Sequence, residues 1–208
     1  MDLTKTYIFR MTHIENIPHI IENGITHKDS ENSNKNYKPI GDNSLIGTRD
    51  QYRMPNGHLL GEYIPFYLGL RTPMLYVIQK GYNGVKAVHP KEIIYCISSV
   101  QKIIDTNLDF IYTDGHATDG FTNYFSPKDI LDIENQVDFN ATGAKFWKDE
   151  NDLDLKRRKE AEFLIKQDLE YENILGFATF EEESTNRLLE LGINKNKVVT
   201  KPNLYFQL

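Results

Sequence analysis

The chain reads Lys156-Arg157-Arg158-Lys159-Glu160-Ala161-Glu162-Phe163-Leu164-Ile165 in its last third, four cations followed by a carboxylate pair and an apolar run. If the apolar run enters a core, Glu162 lies at the edge of that core among positive charges. A nearby opposite charge keeps a carboxylate ionised and lowers its pKa. Such a group can stabilise a developing cation or accept a proton. The alternative interpretation is a solvated charge run that leads into a buried element.

Length and composition indicate a globular chain. With 208 residues and 39% hydrophobic content, we expect one domain over residues 1–208, with a core that needs no disulfides. The single cysteine, Cys96, lies in an apolar run and has no internal partner. The net charge of −6 argues against a nonspecific nucleic-acid coat but permits a local basic cleft. Without a secretory leader or a membrane-length apolar run, we expect a cytoplasmic protein that enters no membrane.

Strand-like runs recur along the whole chain with short helices between them and no regular βαβ alternation. This pattern favours an α+β fold over a doubly wound sheet. The predicted strands are 7–11, 63–68, 74–79, 89–97, 109–112, 162–165, 174–180 and 197–206, and the predicted helices are 15–23, 44–53, 99–106, 127–134 and 184–191. Gly24 is expected to end the first helix, and Asn43 or Ser44 to cap the second. Residues 27–43 are polar and read as a long loop, a kind of segment that is commonly functional.

Metal and phosphate-loop motifs are absent. The sequence has no glycine-rich nucleotide motif and no His-Glu-x-x-His, and its six histidines are scattered. A lone cysteine further disfavours a structural zinc. We therefore expect no metal site.

Three other segments carry polar or aromatic groups that suit a nucleotide. Residues 12–16 (Thr-His-Ile-Glu-Asn) lie at a strand-to-helix junction, where N–H groups can hold a phosphate or amide. Residues 63–67 and 71–76 are dense in aromatics, which can stack on a base or a nicotinamide ring. Residues 113–116 (Thr-Asp-Gly-His) look like the root of a loop. Each segment also has a purely structural interpretation. Residues 12–16 can be a simple helix cap, the aromatic residues can be part of a packed core, and residues 113–116 can be an ordinary turn.

Taken in order, these segments resemble the DarT toxins, ADP-ribosyltransferases that use NAD to modify DNA bases. The segments that carry the resemblance are 10–17, 40–42 with Arg49, 63–76, 113–116, 158–165 and 201–206. Each is weak alone, but their order and spacing from Tyr7 to Phe206 are specific. The resemblance implies an ADP-ribosyltransferase fold in which two packed β-sheets form an NAD cleft with short helices around them. It also implies a macrodomain antitoxin (DarG-like) as partner, and we expect the chain to be a monomer.

The resemblance assigns the catalytic glutamate to Glu162 and the key arginine to Arg49, with Arg53 as the competing assignment. Breaking the nicotinamide–ribose bond creates an oxocarbenium-like centre, which a nearby glutamate can stabilise. The implied NAD-binding residues are Arg10, Met11, Thr12, His13, Asn16, Arg49, Tyr67 and Met74. From their charge and from the loop root at His116, we expect the nucleic-acid-binding residues to be Arg53, His116, Lys156, Arg157 and Arg158. The expected partner is single-stranded DNA, because only an exposed base can bring a nitrogen to the NAD ribose.

Several alternatives stay open at this point. The modified base can be thymine or guanine, and the acceptor can instead be RNA or protein. A metal-dependent nuclease built on Asp154, Glu162 and Lys166 is a weaker candidate, as is a noncatalytic nucleic-acid or NAD-binding module.

Overall fold

We describe residues 2–207 in a computed structural model, where eight strands form one hydrogen-bonded sheet. The strands are β1 (Tyr7–His13), β2 (Ile64–Tyr67), β3 (Ile93–Ser99), β4 (Phe110–Thr113), β5 (Tyr124–Phe125), β6 (Glu162–Ile165), β7 (Gly176–Thr179) and β8 (Val198–Thr200). Their order is β5-β4-β6-β2-β1-β3-β7-β8. Only β7 and β8 are parallel neighbours. The predicted α+β class is confirmed.

The sheet is nearly divided between β1 and β2, and we call this division the seam. One residue pair, Phe9 with Tyr67, joins the two strands, whereas β1 pairs with β3 along all its residues. Continuing the antiparallel register would set Met11 opposite Pro65, which has no N–H to donate to the ladder. The Arg10 guanidinium bridges the seam instead, with Nη1 donating to the Pro65 carbonyl at 2.9 Å. Instead of the two separate sheets that were expected, the described residues form one sheet whose four-stranded halves meet at the seam.

Short helices cover both faces of the sheet. They are α1 (Ile17–Asn23), α2 (Asn43–Gln51), α3 (Pro73–Lys80), α4 (Val100–Thr106), α5 (Ile133–Gln136), α6 (Phe139–Gly143), α7 (Leu155–Lys159) and α8 (Glu182–Glu190). Gly24 ends α1 with a φ of +77°, as predicted. Among residues 2–207, no helix has the length and apolar character to span a bilayer.

Three local predictions are wrong. Residues 74–79 form α3 rather than a strand, because Thr72 caps Leu75 N, Pro73 suits the first turn and Gly81 ends the helix with left-handed backbone. Helix α2 is capped by Asp42, whose carboxylate accepts from Ser44 N at 2.8 Å, and not by Asn43 or Ser44. In the segment 197–206, only Val198–Thr200 is a strand, and Pro202 then begins a 3-10 turn.

The core has a large cluster on each face of the sheet. Phe163 lies in the cluster beneath α1 and α4, whereas α3 and the C-terminal residues Tyr205 and Phe206 cover the other face. The Gln79 side-chain amide pairs with the Phe206 backbone, accepting from N at 3.1 Å and donating to O at 3.0 Å. The C-terminal segment is therefore part of the wall on that face.

The cation run turns into the core at its last member. Lys159 is fully buried, and its ammonium donates to three backbone carbonyls, those of Leu70, Thr142 and Ala144, at 3.2, 3.2 and 2.5 Å. We call this arrangement the Lys159 clamp. Burial, reinforced by the Arg71 charge, lowers the Lys159 pKa to about 8. The interpretation of this run as a solvated charge face is wrong at Lys159.

The Gly69 backbone packs directly on the clamp, so we expect Gly69→Ala to destabilise the protein. A Cβ at this position would overlap the Thr142 carbonyl oxygen, which Lys159 also binds. Overpacking against fixed backbone costs about 1–3 kcal/mol. Urea unfolding measures this loss. The control is Gly47→Ala on the exposed face of α2, where an added Cβ would meet no described atom within 4 Å apart from the helix's own backbone, so the free energy of unfolding should stay equal or rise by up to about 1 kcal/mol. Equal stability of the two variants would contradict the packing argument.

Candidate active site

Glu162 opens β6 at the seam, directly opposite Tyr67. Only 1% of the residue is exposed. Its Oε1 accepts from the Ala117 backbone N–H at 2.9 Å and from Arg49 Nη1 at 3.1 Å. Its Oε2 lies 2.8 Å from Arg49 Nη2. The carboxylate is thus held by one cation and one backbone donor.

Arg49 reaches Glu162 from the last turn of α2, so the helix after the long loop delivers the guanidinium to the seam. Burial alone would raise the pKa of the Glu162 carboxyl, but the Arg49 charge, the nearby His116 and the hydrogen bonds from Arg49 and Ala117 together outweigh burial and hold that pKa below the usual value. Arg49 Nη2, although close to Oε2, makes no aligned hydrogen bond among residues 2–207. The site therefore contains an ionised carboxylate and a spare buried donor.

A cavity of about 160 Å³ opens above this pair. Seven of the predicted site residues line it: Arg10, Met11, Arg49, Tyr67, Met74, His116 and Glu162. Leu45 and Ile46 also line the cavity and lie in the segment from about Ile40 to Arg53 that we expected to cover NAD, whereas sequence reasoning missed Tyr37 of the long loop. An aromatic residue inside the polar stretch 27–43 was the available signal for Tyr37.

A second cavity of about 190 Å³ adjoins the first and shares Arg10 and Tyr37 with it. Thr12 and Asn16 lie on its wall. Each cavity is smaller than the roughly 300 Å³ at which typical ligand pockets begin. A ligand as long as a dinucleotide would therefore have to occupy both.

The junction after β1 fixes the long loop. Asn16 donates to Thr12 Oγ1 at 3.0 Å and to the Lys38 carbonyl at 2.9 Å, and it accepts from Lys38 N at 2.8 Å. These bonds use both amide hydrogens of Asn16, so its role here is to hold the loop over the cavities.

His13 is also engaged within the fold. It is buried, and its Nδ1 accepts from Glu15 N at 3.1 Å. The ring proton therefore lies on Nε2, which is 3.7 Å from a Glu92 carboxylate oxygen. Although His13, Glu15 and Glu92 bring potential metal-ligand atoms within 4.8 Å of one another, the imidazole has no free lone pair for an ion. A contact of His13 with NAD stays a prediction.

Most of the predicted nucleic-acid-binding cations are engaged with other groups of the chain. Arg157 pairs with Asp114 and Asp154, both at 2.7 Å, and Arg158 pairs with Asp138, Asp152 and Asp154.

Lys156 lies 3.1 Å from Glu160, a buried carboxylate whose pKa is raised by burial. Arg53 donates to the Gly57 carbonyl at 2.6 Å and does not line the cavity above Glu162. The basic rim expected from these residues is largely neutralised, and their contact with DNA stays a prediction.

The residues of the nuclease alternative do not form one site. Asp154 pairs with Arg157, whereas Lys166 Nζ lies 3.5 Å from a Glu62 oxygen and 3.2 Å from His58 Nδ1. Glu162 is buried and pairs with Arg49 instead. The arrangement lacks the joined carboxylate–lysine set that this alternative requires.

The chain is similar to proteins of one family. A sequence profile of the family described as "ssDNA thymidine ADP-ribosyltransferase, DarT" matches residues 9–206. The DNA ADP-ribosyl transferase of Escherichia coli O127:H6 (strain E2348/69 / EPEC) is 32% identical, over 97% of this chain and 94% of that protein. A DNA ADP-ribosyl transferase–DNA ADP-ribosyl glycohydrolase fusion protein of Thermosipho africanus is 28% identical, over 96% of this chain and 49% of the fusion.

The fold is shared with a solved structure. DarT of Thermus sp. 2.9, at 24% identity, superposes with a TM-score of 0.83 in its complex with ADP-ribosylated ssDNA, over 97% of this chain and 96% of that one. The complex of the same protein with NAD+ superposes with a TM-score of 0.78, over 97% of this chain and 98% of that one. The expected fold is thereby confirmed.

The buried ion pair should be visible in the pH dependence of stability. Because the folded pKa of Glu162 is lowered, the stabilisation is complete above the unfolded value of about 4.3 and is lost as the pH falls through the folded pKa. We therefore expect the protein to be more stable than Glu162→Gln at neutral pH, by about 3–5 kcal/mol. This gap should shrink below about pH 4.3. Urea unfolding over a pH series measures it, and a gap that stayed constant with pH would contradict the assignment.

Proposed function

The chain belongs to the DarT family of DNA ADP-ribosyltransferases, whose co-substrate is NAD, and we propose that it modifies thymine in single-stranded DNA through Glu162 and Arg49. The observation that carries the proposed site is the buried Arg49–Glu162 pair at the seam, beneath two contiguous cavities. The family description supports thymine as the base.

NAD lies along both cavities in this proposal. The nicotinamide riboside end occupies the cavity above Glu162, beside Met11, Tyr67 and Met74. The adenosine end extends past Arg10 into the cavity walled by Thr12 and Asn16. The Arg49 guanidinium retains the spare Nη2 donor, which suits a phosphate oxygen because a guanidinium offers fixed, always-charged donors.

The reaction replaces one bond at the ribose C1′. The bond from C1′ to the nicotinamide nitrogen breaks, nicotinamide leaves with the electron pair, and positive charge develops on the ribose. The ionised Glu162 stabilises this charge from its fixed position, so little reorganisation is needed as the charge develops. N3 of thymine then bonds to C1′ and loses its proton. His116 lines the same cavity and is the imidazole placed to accept that proton.

Single-stranded DNA is the acceptor that this chemistry requires. In a thymine nucleotide, N3 is the ring nitrogen that is not bound to the sugar, and base pairing buries it. An unpaired base can enter a closed site at little unstacking cost. The loop from Asp114 to Asn123 carries His116, which lines the cavity above Glu162, and its Phe121 is 86% exposed.

A glycohydrolase is the partner that we infer for this chain. In the Thermosipho africanus fusion protein, a DNA ADP-ribosyl transferase and a DNA ADP-ribosyl glycohydrolase occur in one polypeptide. Such a pairing is consistent with a toxin whose product a second enzyme removes. The expected macrodomain antitoxin would be that second enzyme.

Transfer to DNA and the role of Glu162 can be tested together. The protein is incubated with labelled NAD and separate pools of thymine-containing DNA, thymine-free DNA, RNA and protein. Label should appear on thymine-containing DNA, and nucleoside mass spectrometry should show one ADP-ribosyl group on thymidine. Label confined to RNA or protein would overturn the acceptor.

Glu162→Ala and Glu162→Gln should lose transfer by about 100-fold to 10,000-fold while NAD binding largely survives. The reason is that the carboxylate acts on the charge that develops in the reaction rather than on bound NAD. The matched control is Glu190→Gln at the exposed end of α8, which should keep full activity. Full activity in Glu162→Ala would sink the catalytic assignment.

The choice between Arg49 and Arg53 is open to the same assay. Arg49→Lys removes the planar fork beside Glu162, and we expect a loss of about 100-fold or more in transfer. Arg53→Lys should change transfer by no more than about twofold, because its guanidinium binds a local carbonyl. The reverse ranking would assign the functional role to Arg53.

A further inference from the structure

A third cavity, of about 710 Å³, has no part in the proposed transfer reaction. Its wall is built mainly by Arg71, Lys145, Phe146, Phe180, Tyr205 and Gln207. None of its lining residues among residues 2–207 is acidic. The cavity therefore combines two cations with aromatic surface and no competing carboxylate.

Arg71 is held in an unfavourable backbone conformation with an unsatisfied donor. Its φ is +53°, in the left-handed region that a side chain with a Cβ rarely adopts. Its Nε is buried and makes no hydrogen bond to any group of residues 2–207. The guanidinium stacks over the Phe206 ring at 4.8 Å. Backbone strain of this kind clusters at ligand sites, and a buried donor without a partner in the fold can be satisfied by a water or by a bound ligand.

Phe146 offers an aromatic face beside a second cation. It is 68% exposed, and Lys145 Nζ lies 5.7 Å from its ring centroid. The next residue, Trp147, packs against Tyr76 and Phe206 in the core cluster that lies beneath α3. Anchoring by Trp147 thus holds Phe146 at the surface.

The Lys159 clamp connects the wall of this cavity, through hydrogen bonds, to the segment just before β6. Lys159 donates to the carbonyls of Leu70 and Ala144, the residues immediately before Arg71 and Lys145. Lys159 itself lies three residues before Glu162. The two cations of the cavity are therefore mounted on the same framework as the catalytic carboxylate.

We propose that this cavity is a second subsite for single-stranded DNA, holding a phosphate between Arg71 and Lys145 and stacking a base on Phe146. The site takes a nucleotide that flanks the modified thymine, so the inference rests on the proposed function. Single strands bind where cations meet aromatic faces. The chain carries a net charge of −6, so as a whole it repels DNA. Arg157 and Arg158 are paired with aspartates. Arg71 and Lys145, in contrast, make no ion pair within residues 2–207. These two cations remain available to an anionic strand.

The test compares two thymine oligonucleotides, a trinucleotide and one of about 15 nucleotides. Only the second is long enough to extend beyond the active site and reach the third cavity. In Phe146→Ala the KM for the long oligonucleotide should rise by about 5-fold to 100-fold, with kcat and the KM for the trinucleotide unchanged. Phe146→Trp should restore binding. In Lys145→Ala the plot of log affinity against log salt should become shallower, its negative slope losing about 0.7 in magnitude, which is the loss expected for one phosphate contact. The exposed residues Leu131 and Lys128, changed to Ala, are the matched controls.

Each outcome bears on the subsite. If Phe146→Ala and Lys145→Ala match the controls on the long oligonucleotide, the cavity does not bind DNA. If the trinucleotide is affected equally, or the melting temperature drops, the residues act on the fold and the subsite is wrong. If the unaltered protein labels no DNA with either oligonucleotide, the proposed function fails, and the subsite fails with it.

Discussion

A buried ion pair between Arg49 and Glu162 constrains the rest of this structure. Removing both charges from water costs several kcal/mol per ion, which only close pairing and additional hydrogen bonds can offset. The Ala117 N–H supplies one such bond, so the loop after β4 must reach the same point as α2 and β6. Three segments that are far apart in the sequence therefore converge on a single carboxylate. The cavities lie above that carboxylate, where β1 and β2 separate.

Patterns that depend on neighbouring residues were readable from the sequence. The apolar run after Glu162 gave the bounds of β6 correctly, and Gly24 ended its helix as expected. The run from Met74 to Gln79 was misread as a strand because its aromatic and branched residues outweighed the cap formed by Thr72 and Pro73. Charge pairing was beyond reach, since the partners of Arg158 lie up to 20 residues away. Arg49 and Arg53 could not be separated because both fell within one predicted helix, which in fact ends at Gln51.

Lys159 shows how a charge can serve as a structural connector. Its ammonium satisfies three carbonyls from segments that no regular element joins, and it does so directly before the catalytic strand. A buried ammonium is tolerated only when its hydrogens are used, and here all three are. The sequence does not predict this role, because Lys159 is the last of four consecutive cations and the other three are at least partly exposed.

The seam also has the chemical character of a sheet edge enclosed within a domain. Past Phe9, the side of β1 that faces β2 pairs with no strand among residues 2–207, and Arg10 and Met11 of this stretch line the cavity above Glu162. An exposed edge recruits extended peptides because it offers an alternating row of donors and acceptors. A primary or secondary amide likewise offers one N–H donor beside one carbonyl acceptor. A carboxamide or a short peptide-like unit carries the donor and the acceptor that the interrupted ladder lacks, so mimicry of a missing strand is a starting point for designing ligands of this cleft.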